Sequence, residues 1–457
     1  MHHTGFFKKA VALLSAVALL SAFTLSLAVF SAPVFAEADP ELGFEVSSEA
    51  VYMVNNESGI VVYEKNADKM LSPASLTTVM TAIIAIENCP DLEGTIVTAP
   101  TSVFDELYTL GAANVDIRHG EDVRMIDLLY AMILRSACEA ASIIANYIGN
   151  GDNAAFVEMM NQKAKEIGAV NTHFANPHGL PDDNQYTTAK DLYLITKYAM
   201  DMDPIFMTIA STENYTLPAT NKHSQERTIT HTNAMMSESR GGAQYSPYVH
   251  GIKTGATNTG RNLISTATKD AYSYTLVTLN AQRYYDNGDE ITDNQSFVDA
   301  KQLYDWAFKN WAVRSVLKTS TPQGEIKVEL AKDKDSIPVY PAEEVDYLMK
   351  QDIDMSALQR IIDLPESVDA PITEGQVLGT MELKLADVTI AKVDLVAGES
   401  LERSGWLEFL RNVKGFFTSV WFKLIIVVIL LLIAAYIVLA ILYNNRKQRR
   451  RKSKRRF

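Results

Sequence analysis

Ser72-Pro73-Ala74-Ser75-Leu76-Thr77-Thr78-Val79-Met80-Thr81-Ala82-Ile83-Ile84-Ala85-Ile86-Glu87 reads as a helix that begins abruptly and is meant to be buried. Ser72 suits the cap and Pro73 the first helical position, where a missing N–H removes no intrahelical bond. The body, Ala74 to Glu87, carries Leu76, Val79, Met80, Ile83, Ile84 and Ile86 and is apolar nearly all round. Such a helix has no solvent face and is expected at the centre of a core.

Upstream, Val51-Tyr-Met-Val and Ile60-Val-Val-Tyr are β-rich runs separated by Asn55-Asn56-Glu57-Ser58-Gly59, a hairpin signal. Downstream, helical patterns cover Met125 to Ile148, with an interruption near Arg135-Ser136, then Phe156 to Ile167 and Asp191 to Met200. Strand-like runs return at Tyr248–Ile252, Leu263–Ala267 and Tyr272–Leu279, and Phe297 to Phe308 closes the segment as a helix. A hairpin, a helical middle, then strands and a final helix describe an α+β arrangement. Past the linker-like Thr319-Ser-Thr-Pro-Gln-Gly324 the pattern turns to β. Ile326–Leu330, Met381–Leu385 and Val388–Val396 alternate as a small antiparallel module should.

The two ends carry targeting signals. Lys8 and Lys9 precede a mostly apolar run from Ala10 to Phe30, and Val34-Phe35-Ala36 places small residues where a signal peptidase cuts, leaving Glu37 first. The alternative is an N-terminal anchor helix; the Ser31, Ala32 and Pro33 that end the run favour cleavage. At the other end, Ser400 to Phe417, with Leu401, Trp406, Leu407, Phe409 and Leu410, reads as an amphipathic membrane-surface segment. Leu424 to Tyr443 then runs without a charge. At about 1.5 Å per residue this spans the ~30 Å hydrocarbon layer. Arg446, Lys447, Arg449, Arg450, Arg451, Lys452, Lys454, Arg455 and Arg456 follow with no acid among them, which marks the cytoplasmic side. A nucleic-acid-binding tail is the rival reading of such a run, less apt directly after a membrane span. With the two leader lysines and these nine cations set aside, 31 basic residues face 55 acidic ones, a net charge near −24. A body so acidic should not bind nucleic acid. Cys89 and Cys138 stand in an extracellular body where a disulfide is allowed, but two cysteines make no framework, and the reading is that they are unpaired.

Three short segments occur in order: Ser75-Leu76-Thr77-Thr78, Ser136-Ala137-Cys138 and Lys253-Thr254-Gly255. Their order and settings resemble the S-x-x-K, S-x-N and K-T-G signatures of penicillin-recognising serine enzymes. Tyr63-Glu-Lys-Asn-Ala-Asp, Asp127-Leu-Leu-Tyr, Asn171-Thr-His-Phe-Ala-Asn-Pro-His-Gly-Leu-Pro, Tyr186-Thr-Thr-Ala-Lys-Asp and Gly251-Ile-Lys-Thr-Gly-Ala-Thr resemble the D-alanyl-D-alanine carboxypeptidases in particular. Gly375-Gln-Val-Leu-Gly-Thr and Val393-Asp-Leu-Val-Ala resemble that family's C-terminal β domain, so the likeness covers roughly residues 45 to 415. It implies a β-lactamase/transpeptidase-like domain (an antiparallel sheet with a helical subdomain), then a small all-β domain and a C-terminal transmembrane helix. The expected boundaries are a signal peptide at 1–36, the carboxypeptidase-like domain at 37–312 and the β-rich domain at 313–398. An amphipathic segment at 399–423, a membrane helix at 424–443 and a basic tail at 444–457 complete the chain.

The implied chemistry is acyl transfer. Ser75 attacks the penultimate carbonyl of a peptidoglycan stem peptide ending in D-Ala-D-Ala, and water later cleaves the acyl-enzyme. In the family a lysine three residues on, one helical turn away, takes the serine's proton. Here that position is Thr78, and no lysine occurs between Lys69 and Lys163. A threonine hydroxyl is no proton acceptor near neutral pH, and base assistance is worth ~10²–10⁴ in rate. The family's asparagine is replaced by Cys138, a weaker hydrogen-bonding group. Arg135 adds a fixed positive charge and is a poor base because it stays protonated. In the intact third segment, Lys253 is expected to hold the substrate carboxylate, Thr254 to donate to it, and Gly255 to let the peptide add to the strand edge.

Plainer readings stand beside these. Ser75 is also compatible with an ordinary first-turn helix serine. Ser136-Ala-Cys-Glu139 is a capping-box pattern, so Ser136 is weighed as a cap and as a proton relay. Cys138 reads better as a small buried filler than as a nucleophile, and His173 and His178 as structural hydrogen bonders. No cofactor or metal is called for. The expected partners are the stem peptide, β-lactams weakly, and the membrane. Two functions are carried forward: a carboxypeptidase-family protein with impaired or altered catalysis, and a non-catalytic membrane-anchored peptidoglycan-binding scaffold. β-Lactamase-like hydrolysis is disfavoured, since it usually needs a deacylating carboxylate and gives no reason for the β domain and anchor.

Overall fold

The computed structural model describes residues 42–107, 111–285 and 287–453. The expected signal peptide and the last four residues of the basic tail lie outside them. The chain divides into two compact units between Trp311 and Ala312.

In the first unit, β1 (Ala50–Asn55) and β2 (Val61–Lys65) form the expected hairpin, with Val51 opposite Lys65. The buried helix is α1 (Thr78–Asn88), whose residues Thr78 to Ala85 are all buried. Its entry differs from the sequence reading. A 3-10 turn, Ala74–Thr77, precedes it, capped by Pro73 with no side-chain bond, so Ser72 is not the cap. The cause is Ala74, which takes a left-handed φ of +48° and breaks the run from Ser72 into the helix. The Ser72 and Pro73 carbonyls instead accept hydrogen bonds from Asn262 Nδ2, at 3.0 and 3.1 Å.

The interruption expected near Arg135-Ser136 separates α2 (Met125–Arg135) from α3 (Cys138–Ile148), with Ser136 in the left-handed region at φ +58°. The other expected helices appear slightly extended, as α4 (Asn153–Ile167) and α5 (Ala189–Met202). Strands β3 (Val249–Ala256), β4 (Gly260–Lys269) and β5 (Tyr272–Gln282) join the hairpin in a five-stranded sheet of order β2-β1-β5-β4-β3, antiparallel throughout. Helix α6 (Gln295–Asn310) packs on it, its buried Tyr304 hydroxyl 2.9 Å from Ser265 Oγ. Strand β3 is an edge, so one side of its backbone is not paired within the sheet.

The second unit is built on a six-stranded sheet. Its strands are β6 (Gly324–Glu329), β7 (Ser336–Pro341), β8 (Leu358–Asp363), β9 (Ser367–Asp369), β10 (Val377–Leu385) and β11 (Val388–Ala397), in the order β8-β10-β11-β7-β6-β9. Alternation puts Met381, Leu383 and Leu385 on the inner face of β10. The sheet is not wholly antiparallel as expected: β6 and β9 pair in parallel, Lys327 opposite Ser367. β9 has only three residues, too short for alternation to announce it. Helix α7 (Gly405–Thr418) leaves Trp406, Phe409 and Phe416 exposed, while Arg411 reaches Asp369 at 2.7 Å. Helix α8 (Val420–Ser453) contains the one stretch among the described residues long and apolar enough to cross a membrane.

Candidate active site

The first motif sits on a turn held from three sides. From the sheet, Asn262 Nδ2 binds the Ser72 and Pro73 carbonyls while its Oδ1 accepts the Asn280 N–H at 2.8 Å. From β3, Gly255 presses so near that a Cβ there would lie 3.2 Å from the Pro73 oxygen and 3.3 Å from Ala74 Cβ. From the loop after α4, Gly179 at φ +85° leaves still less room: a Cβ would fall 2.0 Å from the Ala74 oxygen and 2.9 Å from the Ser75 nitrogen. That loop is fixed by Asn176, which binds the Leu180 carbonyl and accepts the Gly179 N–H at 2.7 Å. His178 Nδ1 accepts the Leu180 N–H at 3.1 Å and His173 Nδ1 lies 2.7 Å from the Asn184 carbonyl, the structural roles expected of both.

Ser75 is half-buried on this turn, and no described residue hydrogen-bonds its hydroxyl. Thr78, one turn on and 1% exposed, donates its hydroxyl proton to the Ser75 carbonyl at 2.8 Å. This is the ordinary back-bond of a helical threonine and serves the backbone rather than the nucleophile. Thr77 does the same to the Ala74 carbonyl.

The second motif is not a capping box. The cap of α3 is Ala137, without a side-chain bond, and Ser136 is the left-handed residue ending α2. Glu139, the other half of the expected box, turns away and accepts the Val115 N–H at 2.7 Å. Burial raises the pKa of its carboxyl. The left-handed turn frees the Ser136 hydroxyl, which accepts a hydrogen bond from Lys253 Nζ. Cys138 is buried, its thiol 3.6 Å from the Ser136 carbonyl, and burial pushes it up to about 11. A thiol that stays protonated at neutral pH is a filler, not a nucleophile. Arg135 is exposed.

Lys253 is fully buried, though it was expected to meet a substrate carboxylate. Its ammonium donates to Ser136 Oγ and, at 3.0 Å, to the Thr254 carbonyl. Burial brings its pKa down to about 7; Cys138 opposes the fall and Arg135 adds to it. The Thr254 hydroxyl donates to Thr232 Oγ1 at 2.6 Å. Thr232 is therefore a site residue that sequence reasoning passed over. Its neighbours His231 and Asn233 anchor it: Asn233 Nδ2 binds the Gly251 carbonyl at 2.5 Å, and His231 Nε2 lies 3.2 Å from the Ile252 carbonyl. The signal available was a polar His-Thr-Asn triplet directly after the short strand Arg227–Thr230. Asn262 was missed as well, because the Ser72 carbonyl it binds lies 190 residues away in the sequence.

The described residues contain no group of three or more His, Cys, Asp or Glu placed to hold a metal. What they do assemble is a serine on a helix-entry turn, a second serine bonded to a buried lysine, and an open strand edge beside both.

Comparison with known proteins gives the family. The D-alanyl-D-alanine carboxypeptidase family pattern matches residues 34–283, and that of the penicillin-binding protein 5 C-terminal domain matches 314–403. The chain is 26% identical over 398 residues to D-alanyl-D-alanine carboxypeptidase DacF of Bacillus subtilis, covering 86% of this chain and 96% of that one. It is 30% identical over 213 residues to a D-alanyl-D-alanine carboxypeptidase of a Streptomyces species, 45% of this chain and 70% of the relative. In fold it is similar to penicillin binding protein 5 from Haemophilus influenzae, with a TM-score of 0.57 and 23% identity, covering 80% of this chain and 100% of the other. With a family match over more than half its length and the motif-bearing elements in place, the chain belongs to the D-alanyl-D-alanine carboxypeptidase family, the low-molecular-mass penicillin-binding proteins.

Proposed function

We propose that the protein engages peptidoglycan stem peptides ending in D-Ala-D-Ala along the edge of β3 and acylates slowly at Ser75, its catalysis impaired or altered by the loss of the usual base. One observation carries this reading. The residue one turn after Ser75 is a threonine whose hydroxyl is committed to the Ser75 carbonyl, and no described side chain holds the Ser75 hydroxyl. The turn, the glycines and the strand that present the serine are retained; the amine that would deprotonate it is not. Thr254 and Gly255 line the edge where an added peptide strand would lie, with Thr232 behind Thr254 and the Lys253 side chain buried against Ser136.

The apolar stretch of α8 supports a tethered protein, with the acidic body outside the cell and the basic tail in the cytoplasm. The exposed aromatic residues of α7 suit the lipid–water boundary.

Labelling of the detergent-solubilised full chain with fluorescent penicillin tests the reading. Slow, incomplete labelling is expected; rapid stoichiometric acylation at Ser75 overturns it. The intact third motif beside a missing base also favours a second reading, a membrane-anchored binding or scaffold protein without turnover. Calorimetric binding of a D-Ala-D-Ala stem peptide with no release of D-alanine would select it over the first.

A further inference from the structure

We infer that the Arg135 guanidinium receives a free carboxylate of the peptide that adds to β3, so that the chain prefers acidic peptides to their amides. The inference rests on the proposed reading that the peptide lies along that edge.

The backbone sets the position. From Met125 to Ala145, Arg135 is the one exposed residue. Both of its neighbours in the chain are fixed to the third motif. On one side the Leu134 carbonyl accepts the Thr232 N–H at 2.9 Å, and Thr232 Oγ1 accepts the Thr254 hydroxyl proton. On the other side the Ser136 hydroxyl accepts a hydrogen bond from Lys253 Nζ. Arg135 therefore leaves the end of α2 between the contact that reaches Lys253 and the contact that reaches Thr254. Its charge is felt there: after burial, it helps to bring the Lys253 pKa down.

The charge is also unspent. Among the described residues no ion pair or hydrogen bond engages the Arg135 guanidinium. Asp127 pairs with Arg124, Glu121 with Arg227, and Glu139 accepts the Val115 N–H. Of the other arginines around β3, Arg261 and Arg283 share Glu290, and Arg240 lies 3.7 Å from Glu213. On a body whose net charge is near −24, an exposed cation with no acid beside it is a local attraction for an anion in a repelling surround.

A carboxylate is the anion that fits. The third motif cannot offer Lys253 to it, because that side chain is buried and bonds to Ser136 and to the Thr254 carbonyl. With a pKa of about 7 its amine is also only partly charged at neutral pH. A guanidinium stays charged and can give a carboxylate two parallel N–H bonds. Two groups on a stem peptide supply that chemistry: the C-terminal carboxylate, and a side-chain carboxylate on the residue ahead of D-Ala-D-Ala.

The test is calorimetric titration of the detergent-solubilised full chain with three probes. Acetyl-Gln-D-Ala-D-Ala carries only the C-terminal carboxylate, acetyl-Glu-D-Ala-D-Ala amide only the side-chain one, and acetyl-Gln-D-Ala-D-Ala amide neither. At least one acidic probe is expected to bind about tenfold or more tighter than the neutral probe, and which one does so names the source. The preference should shrink at about 0.5 M salt, since the guanidinium is exposed. In Arg135→Gln and Arg135→Ala the acidic and neutral probes are expected to bind within about twofold of each other, while Arg135→Lys keeps part of the preference as a point charge. As the last residue of α2, Arg135 also meets the negative end of that helix. A role confined to that end changes the melting temperature of the variants and leaves the ratio of probe affinities alone. A preference that survives Arg135→Gln, or wild-type binding that ignores the carboxylates, overturns the inference and leaves the β3 edge as the binding site. No binding of any probe overturns both the inference and that edge. Rapid penicillin labelling at Ser75 sinks the proposed slow catalysis without touching the carboxylate preference.

Discussion

Two stretches face each other across the candidate site, and they have diverged differently. The turn Ser72–Thr78 has its full set of supports: Asn262 on two carbonyls, Gly255 and Gly179 closed against its backbone. Yet where the S-x-x-K signature has a lysine it carries Thr78, whose hydroxyl is bonded to the backbone. The strand Lys253–Gly255 keeps its chemical residues, and its lysine is buried against Ser136 rather than offered to solvent. Shape and reactivity are thus separable here. The supports of the turn come from residues other than Thr78, so its shape does not depend on the side chain at that position.

The sharpest way to break the comparison is to restore the missing group. Thr78→Lys with Cys138→Asn is expected to raise penicillin acylation by about 10²–10⁴. No rise would mean that the turn's geometry has drifted along with its chemistry. Next in size is the support itself. Gly179→Ala puts a Cβ 2.0 Å from the Ala74 oxygen at a positive φ, and should cost at least about 3 kcal/mol in denaturant unfolding while suppressing residual labelling. Asn262→Leu removes two donated bonds and one accepted bond from a buried site. It should cost about 2 kcal/mol, since three backbone groups lose a partner. If either variant unfolds like the wild type, the turn is not held from the sheet and loop as described.

The long elements were legible because their residues repeat a pattern. α1 is apolar all round, the hairpin has a turn cluster between β runs, and the β domain alternates. The entry to α1 was not legible: Ser72-Pro73 is a good cap signal, but Asn262, far along the chain, claims both carbonyls, and Ala74 adopts a backbone its residue type does not announce. The capping box failed for a similar reason, since Glu139 finds Val115, a tertiary partner no local pattern reveals. The motif residues were found by resemblance, but which of them touch was not. That Lys253 meets Ser136 rather than solvent depends on a left-handed turn and on burial, neither of which is written in three letters of sequence.

The last effect, read as a dependence on pH, probes the intact side of the comparison. Lys253 has a folded pKa near 7, well below the unfolded value of about 10.4. Between those values the unfolded chain binds more protons than the folded one, so this residue makes stability rise with pH across that window and contributes no slope below it. Lys253→Met removes the titration. The variant also strands the Ser136 hydroxyl, which shifts its stability by a constant, so the informative quantity is how the difference in Tm from the wild type changes with pH. Relative to wild type the variant should be at its best at pH 6 and lose ground steadily to pH 9, by several degrees at roughly 2–4 °C per kcal/mol. A difference that stays flat from pH 6 to 9 would mean that the amine is solvated or paired in both states. The contrast between a depleted turn and a charged, buried strand would then reduce to a contrast in sequence alone.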